Sequence, residues 1–350
     1  MLLNLVKISI PTAFAFFLAL LLTPVATHFF YKYKMWKKYS RNEDKITEFK
    51  KIHNEQEELR TPRVGGIIVW FSILLTTLIF YLVAILFHSI NTEKINFLSR
   101  NQTLIPLLTL LFGSLIGLSD DLIQIYGTGK IARDDKSWRK WKALLVTLVA
   151  FLIGLWFFYK LGMTGIHIPF GGEIYVGIFI IPIFMIVALA TFSGGVIDGI
   201  DGLSGGVLAS IFAAYSVIAL ANNQIDIATF CGVTTGAILA FLWFNIPPAR
   251  FYMGETGIMG LTIMLATIAF LTDSVFILPI VAFPLVATSL SDIIQMASKK
   301  FRNGKRVFRI APLHHHFEAI GWSSYKVTMR YWVLSIIFAI IGIILAIISR

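Results

Sequence analysis

Four short stretches carry the residues that could do chemistry. Asp120-Asp121 closes the apolar run LLTLLFGSLIGLSDD. Asp198 and Asp201 stand among six glycines in GGVIDGIDGLSGG, residues 194–206. Glu255 follows a Pro-Pro break in NIPPARFYMGETG, residues 245–257. His314, His315 and His316 are consecutive in GKRVFRIAPLHHHFE, residues 304–318, behind Lys305, Arg306 and Arg309. Hard carboxylate oxygens with no cysteine and no compact His–Glu pair point to Mg²⁺ rather than Zn²⁺. Three successive histidines cannot easily chelate one metal. They suit hydrogen bonding to phosphate or sugar, helped by nearby cations. Together these groups fit phosphoryl transfer, which needs Mg²⁺, cations on the phosphates and in-line positioning.

Each stretch also has a plainer reading. Asp120-Asp121 could be a helix-end pair at the water boundary. Adjacent carboxylates on a helix splay about 100° apart, so one can face a metal or substrate while the other takes a basic neighbour. Asp198 and Asp201, three apart, would share a face of a helix, or else mark a glycine turn. A helix starting near 201–204 would aim free N–H groups at a pyrophosphate. Glu255 alone suits a helix dipole. The histidines could belong to a solvated loop. Lys142, at the start of a helix, is the cation of 130–142 best placed to reach inward.

What must position these groups is a membrane bundle. The chain has 350 residues, 57% hydrophobic and 14% charged, with mean hydropathy +0.79. A soluble domain of this length carries about 25% charged residues. A helix needs about 20 apolar residues to span a bilayer. Ten segments qualify: 8–31, 65–88, 103–125, 141–160, 174–193, 203–221, 226–246, 254–272, 274–298 and 326–349. The least certain boundary is Thr272–Asp273. Residues 163–176 alternate around Gly-Gly and predict a short outer hairpin. Ile8–Phe30 is too long for a signal core and has its basic cluster behind it, so it is expected to be the first span. The lone Cys231 is expected to be an inert packing residue.

The loops 32–63, 126–142, 194–202, 247–253 and 299–330 hold 25 of the 30 Lys and Arg residues. These loops are therefore expected on the cytoplasmic side, with both termini outside. The fold class expected is an all-α polytopic membrane protein of about ten helices, one domain over 1–350, with its site on the cytoplasmic face. Its net charge of +11 suits topology and also anionic headgroups or phosphates. A carboxylate in mid-bilayer costs about 2.5–3.5 kcal/mol. The acids at helix ends escape that cost, whereas Asp292 lies deeper, with no clear partner.

At these residues the chain resembles the polyprenyl-phosphate N-acetylhexosamine-1-phosphate transferases, and within them the phospho-N-acetylmuramoyl-pentapeptide transferase branch. The pieces are TPRVGG (61–66), SDD (119–121), DGIDGLSGG (198–206), FLWFNIPPARFYMGETG (241–257) and KRVFRIAPLHHHFE (305–318). The resemblance implies a bacterial plasma-membrane enzyme of peptidoglycan synthesis. A phosphate oxygen of undecaprenyl phosphate would attack the β-phosphate of a UDP-sugar and release UMP. It implies Mg²⁺ held by Glu255 and Asp121. Asp120 would be the base or lipid-phosphate positioner, and His314 and His315 would be catalytic. Lys142, Asp198, Asp201, Asn245, Tyr252 and His316 would bind substrate. No nucleic acid is implied, and a homodimer is left open.

The chain departs from the family pattern at several places. Glu255 replaces the Asp of MGDTG, Gly195 an Asn, and Gln124 a Lys after the Asp pair. The Lys upstream of TPxMGG is missing, with Arg60 near, and the loop to Lys142 is longer. A UDP-GlcNAc donor, an inactive lipid- or nucleotide-binding relative, and a transporter are the competing readings.

Overall fold

The computed structural model describes residues 2–36, 60–87, 95–99, 102–127 and 136–349. Most of the loop 32–63 and residues 128–135 of the loop 126–142 lie outside the described residues. The long helices are α1 (Leu2–Lys32), α2 (Gly66–Phe87), α3 (Leu104–Tyr126), α4 (Lys136–Leu155), α5 (Ile180–Ser193), α6 (Leu203–Ala221), α7 (Ile225–Asn245) and α8 (Gly254–Leu271). Then come a four-residue α9 (Leu278–Val281), α10 (Phe283–Phe301), a short α11 (Leu313–Ala319) and α12 (Ser324–Ile348). Helices suit such a sequence because lipid offers no partner for backbone N–H and C=O groups, and a helix satisfies them internally. Side-chain hydroxyls follow the same rule. Thr77, Thr109, Thr234 and Thr262 each donate to the carbonyl four residues back.

Among the described residues nine helices are long and apolar enough to cross a membrane. The protein is thus a multi-pass, all-α membrane protein. The expected span 274–298 is where the structure differs. The preceding helix does end at Leu271, and Asp273 takes a positive φ of 50°. The next stretch, however, is broken at Ala282 into α9 and α10. Pro284, in the first turn of α10, has no N–H to continue a ladder, which suits it to a helix start. α10 is also two-faced: Thr288, Ser291, Gln295 and Ser298 are buried while Leu290, Ile293, Ile294 and Met296 are exposed.

The layers are set by which helices carry small residues. α8 is almost wholly buried and packs against α3, α2 and α5. Gly117 of α3 makes the closest approach possible, since a Cβ there would overlap the backbone of Glu255 and Thr256. α1 and α12 lie outermost, exposing Phe17, Leu21, Val25 and a ladder of isoleucines including Ile336, Ile340 and Ile344. In a bilayer these faces meet lipid tails. Lys7 Nζ reaches Asp226 Oδ1 at 2.9 Å and ties α1 to α7. The expected hairpin is present as β1 (Gly165–Ile168) paired antiparallel with β2 (Gly172–Tyr175), Ile166 opposite Ile174. Cys231 is fully buried among apolar neighbours.

Candidate active site

The end of α3 meets the start of α8. Asp121 is fully buried; its Oδ1 accepts the N–H of Glu255 at 3.2 Å and its Oδ2 that of Thr256 at 2.9 Å. The first N–H groups of a helix have no internal partners and carry partial positive charge, so an anion there is stabilised. Gly254, the residue that opens α8, has φ +69°, and a Cβ there would collide with the Arg63 carbonyl. The family's Gly-acid-Thr-Gly order is therefore a backbone requirement as well as a chemical one.

Asp120 splays away, as adjacent helical residues must. Its Oδ1 accepts from Trp138 Nε1 at 2.6 Å, and its Oδ2 from Lys142 Nζ at 3.0 Å and Gln124 Nε2 at 3.2 Å. Lys142 Nζ also lies 3.3 Å from Glu255 Oε1. One ammonium thus bridges a carboxylate of α3 and one of α8. Gln124 stands where the resemblance expects a lysine, and Lys142 from α4 supplies an ammonium to the same carboxylate. α4 starts at Lys136, earlier than the expected 141, which puts Trp138 on the same helix as Lys142.

Asp198 and Asp201 do not share a helix face. A 3-10 turn over Gly194–Ile197 ends before them and α6 begins after them, so both lie in the intervening turn. Glycines at 199 and 202 break the helical run that their spacing suggested. Asp198 accepts from Ser204 Oγ at 2.7 Å and from the N–H of Gly254 at 3.2 Å, so it faces the start of α8. Burial pushes its carboxyl above the usual range, against the opposing pull of Ser204, the Arg63 charge and the Gly254 N–H. Asp201 turns elsewhere and accepts from the N–H of Ala249 at 3.0 Å, bracing the Pro247-Pro248 segment. The expected helix does start at 203, but its preceding N–H, from Gly202, goes to Asn245 Oδ1 at 2.9 Å. The helix N-terminus that meets the site's carboxyl groups is that of α8, and they belong to Asp121 and Asp198.

Asn245 uses its whole amide on the backbone, since Nδ2 donates to the Phe251 carbonyl at 2.8 Å. Tyr252 lies half-buried in a backbone zipper. Its N–H donates to Pro62 O at 2.8 Å, and its carbonyl accepts from Gly65 at 2.9 Å. Gly195, where the family has Asn, packs toward Ile258 of α8, with 3.2 Å between a built Cβ and Ile258 Cγ2.

The three histidines divide. His314 and His315 are buried with ring centroids 4.2 Å apart, and both Nε2 atoms lie against Gly199, next to Asp198. His315 Nδ1 lies 2.8 Å from Glu318 Oε2, and Ser324 Oγ donates to Glu318 Oε1 at 2.6 Å. An ionised carboxylate only accepts, so opposite Glu318 it is Nδ1 that carries a proton. His316 points away. Its Nδ1 accepts from the N–H of Arg309 at 3.2 Å. Asp292, on α10, lies within electrostatic reach of His315 and Lys299.

Four residues of this region carry no expectation from the sequence: Arg63, Trp138, Ser204 and Glu318. Only Glu318 had a readable signal, lying three residues after His315 on one helical face. Among the described residues no three His, Cys, Asp or Glu side chains form a metal-holding group. Mg²⁺, though, takes one or two protein carboxylates and completes its shell with water and phosphate. Glu255 and Asp121, joined at one helix start, offer that donor set.

Residues 103–273 match the family described as Glycosyl transferase family 4, a stretch that runs from α3 through α8 and holds both aspartate pairs and Glu255. Over a longer stretch the chain is 36% identical to the phospho-N-acetylmuramoyl-pentapeptide-transferase of Geobacillus sp. (strain WCH70), covering 83% of this chain and 85% of that one. The enzymes of the same name from Bacillus mycoides (strain KBAB4) and Bacillus cytotoxicus are 35% and 36% identical over the same shares. The chain belongs to the phospho-N-acetylmuramoyl-pentapeptide transferase family.

Proposed function

We propose that this protein transfers phospho-N-acetylmuramoyl-pentapeptide from its UDP-linked donor to undecaprenyl phosphate, releasing UMP and leaving lipid I in a bacterial plasma membrane. One observation carries this reading beyond family membership. The Asp120–Lys142–Glu255 bridge, Asp121, Asp198 and the His314–His315 pair all meet around the start of α8 and Gly199. Four carboxylates there face two cations, Arg63 and Lys142. A site with that balance repels phosphates unless a divalent cation accompanies them. Mg²⁺ bound through Glu255 and Asp121 would neutralise charge on the transferring phosphoryl group.

The residues divide the remaining work. Asp120, with three donors on its oxygens, holds Lys142 toward the substrates. Asp198 and Asp121 fix the α8 start. Asn245 and Asp201 hold the 247–253 segment beneath the site, and Tyr252 lies beside it for the uracil. His315, oriented by Glu318 through Nδ1, is the better placed of the pair to handle a proton. The charge of the basic loops favours the cytoplasmic side for this end of the bundle. If α9 and α10 together make a broken tenth crossing, both termini lie outside.

The test is direct. Purified protein given UDP-MurNAc-pentapeptide, undecaprenyl phosphate and Mg²⁺ releases UMP, and chelation stops it. Release no faster than from Glu255→Ala rejects the reading. UDP-GlcNAc offered in competition should not displace the muramoyl donor.

A further inference from the structure

Arg63 is the one cation at the centre of this cluster without a bonded partner among the described residues. Its backbone is held firmly. Its N–H donates to Met35 O at 3.0 Å, and the N–H of Gly66 donates to Met253 O at 2.8 Å. The Arg63 carbonyl presses on Gly254, whose Cα also faces Asp121 Oδ2 and whose N–H goes to Asp198. The side chain is half-buried; its Nε is sealed from solvent and makes no hydrogen bond.

Its charge acts on both Asp121 and Asp198, yet it is hydrogen-bonded to neither carboxylate. Asp121 is satisfied by the N–H groups of Glu255 and Thr256, and Asp198 by Ser204 and Gly254. A guanidinium is charged at every working pH, and its planar fork matches phosphate oxygens in pairs. A buried donor left unmade is costly, so its retention beside a phosphoryl-transfer site calls for a ligand.

We propose that Arg63 is a substrate-binding residue that donates to phosphate oxygens, in place of the lysine that the resemblance expects upstream of TPRVGG. This rests on the function proposed above. The phosphate belongs either to the undecaprenyl phosphate or to the UDP donor, and kinetics can tell which.

The experiment first establishes UMP release by the wild-type protein; a failure there rejects the proposed function and not this residue. Arg63→Gln and Arg63→Lys are then measured with each substrate varied in turn, alongside thermal unfolding in the same detergent. The expected result for Arg63→Gln is a loss in kcat/KM of about 10²-fold with an unchanged unfolding midpoint. The KM that rises identifies the phosphate. Arg63→Lys should recover part of the loss, since it keeps the charge and loses the fork. The proposal is overturned if Arg63→Gln keeps kcat and both KM values within about twofold of wild type. It is equally overturned if activity falls only with the unfolding midpoint, and Arg63→Lys restores both together with unaltered KM values, because Arg63 then serves the fold.

Discussion

The two sides of the candidate site are built in different ways. One side is made where α3, α4 and α8 meet, and its acids are held by backbone N–H groups and by one bridging ammonium. The other side is α11, seven residues long, whose His315 is held by a side-chain relay through Glu318 to Ser324. The first is anchored in the most buried helix of the bundle; the second hangs between loops at its end. Backbone donors on a buried helix cannot move without unpacking the core, so that side presents fixed charge. A carboxylate–imidazole pair can exchange a proton without moving any backbone. On the function proposed, the difference would give electrostatic positioning to the first side and proton handling to the second.

The sharpest way to break that contrast is Asp121→Asn. An amide keeps the size but removes the charge opposite the α8 start and puts an NH₂ near two N–H donors. Activity should fall by about 10³-fold or more, as UMP release measures. An active Asp121→Asn protein would end the claim that this side works through fixed negative charge.

Asp198 sits at the seam between the sides, and its effect depends on pH. Burial raises its carboxyl above the ordinary 3.8, so folding favours the protonated form. Such a group contributes stability in acid, and that contribution is lost as pH rises through its raised folded value. Asp198→Asn, neutral throughout, should therefore unfold at a higher temperature than wild type at neutral pH. The advantage should vanish as pH falls toward 3.8, while activity drops by about tenfold or more at neutral pH. Paired melting curves across pH test the sign. A variant less stable than wild type at neutral pH would mean that the Gly254 and Ser204 bonds outweigh burial.

How much of this was legible in the sequence varies with the kind of signal. Long apolar runs place most helices to within a few residues, because lipid permits little else. The break at Ala282 was not read, because a ten-span count treats Pro284 as tolerated inside a helix. The splay of Asp120 and Asp121 follows from helix geometry alone. The divergence of Asp198 and Asp201 does not, because glycines at 199 and 202 release the turn from any fixed period. Arg63 was hidden for another reason. Its place beside the carboxylates comes from a backbone zipper between residues 62–66 and 252–253, a pairing across the whole fold that no local pattern announces.

Glu318→Gln separates the sides more finely. The amide can still accept from Nδ1 through its oxygen, but it no longer stabilises a positive imidazole. If α11 handles a proton, kcat should fall by about 10-fold or more with KM nearly constant, and the pH dependence of kcat should shift. Melting should change little, since Ser324 retains a partner. A fall in stability with no change in the pH profile would make the relay a fold element and remove the contrast between the two sides.

The smallest effect is expected at His316, which tests whether the triplet acts as a unit. Burial and the Arg309 charge push its ring below the ordinary value, so it is neutral near pH 7 and carries no charge for a phosphate. Its Nδ1 is spent on the Arg309 N–H and its ring lies edge-on to Phe308 at 5.5 Å. His316→Ala should keep UMP release within about twofold, with a loss of about 0.5–1.5 kcal/mol in stability from the missing loop bond. His315→Ala in the same assay should lose most activity. Equal losses in the two variants would show that the three imidazoles share one ligand, and that His316 turns inward when substrate binds.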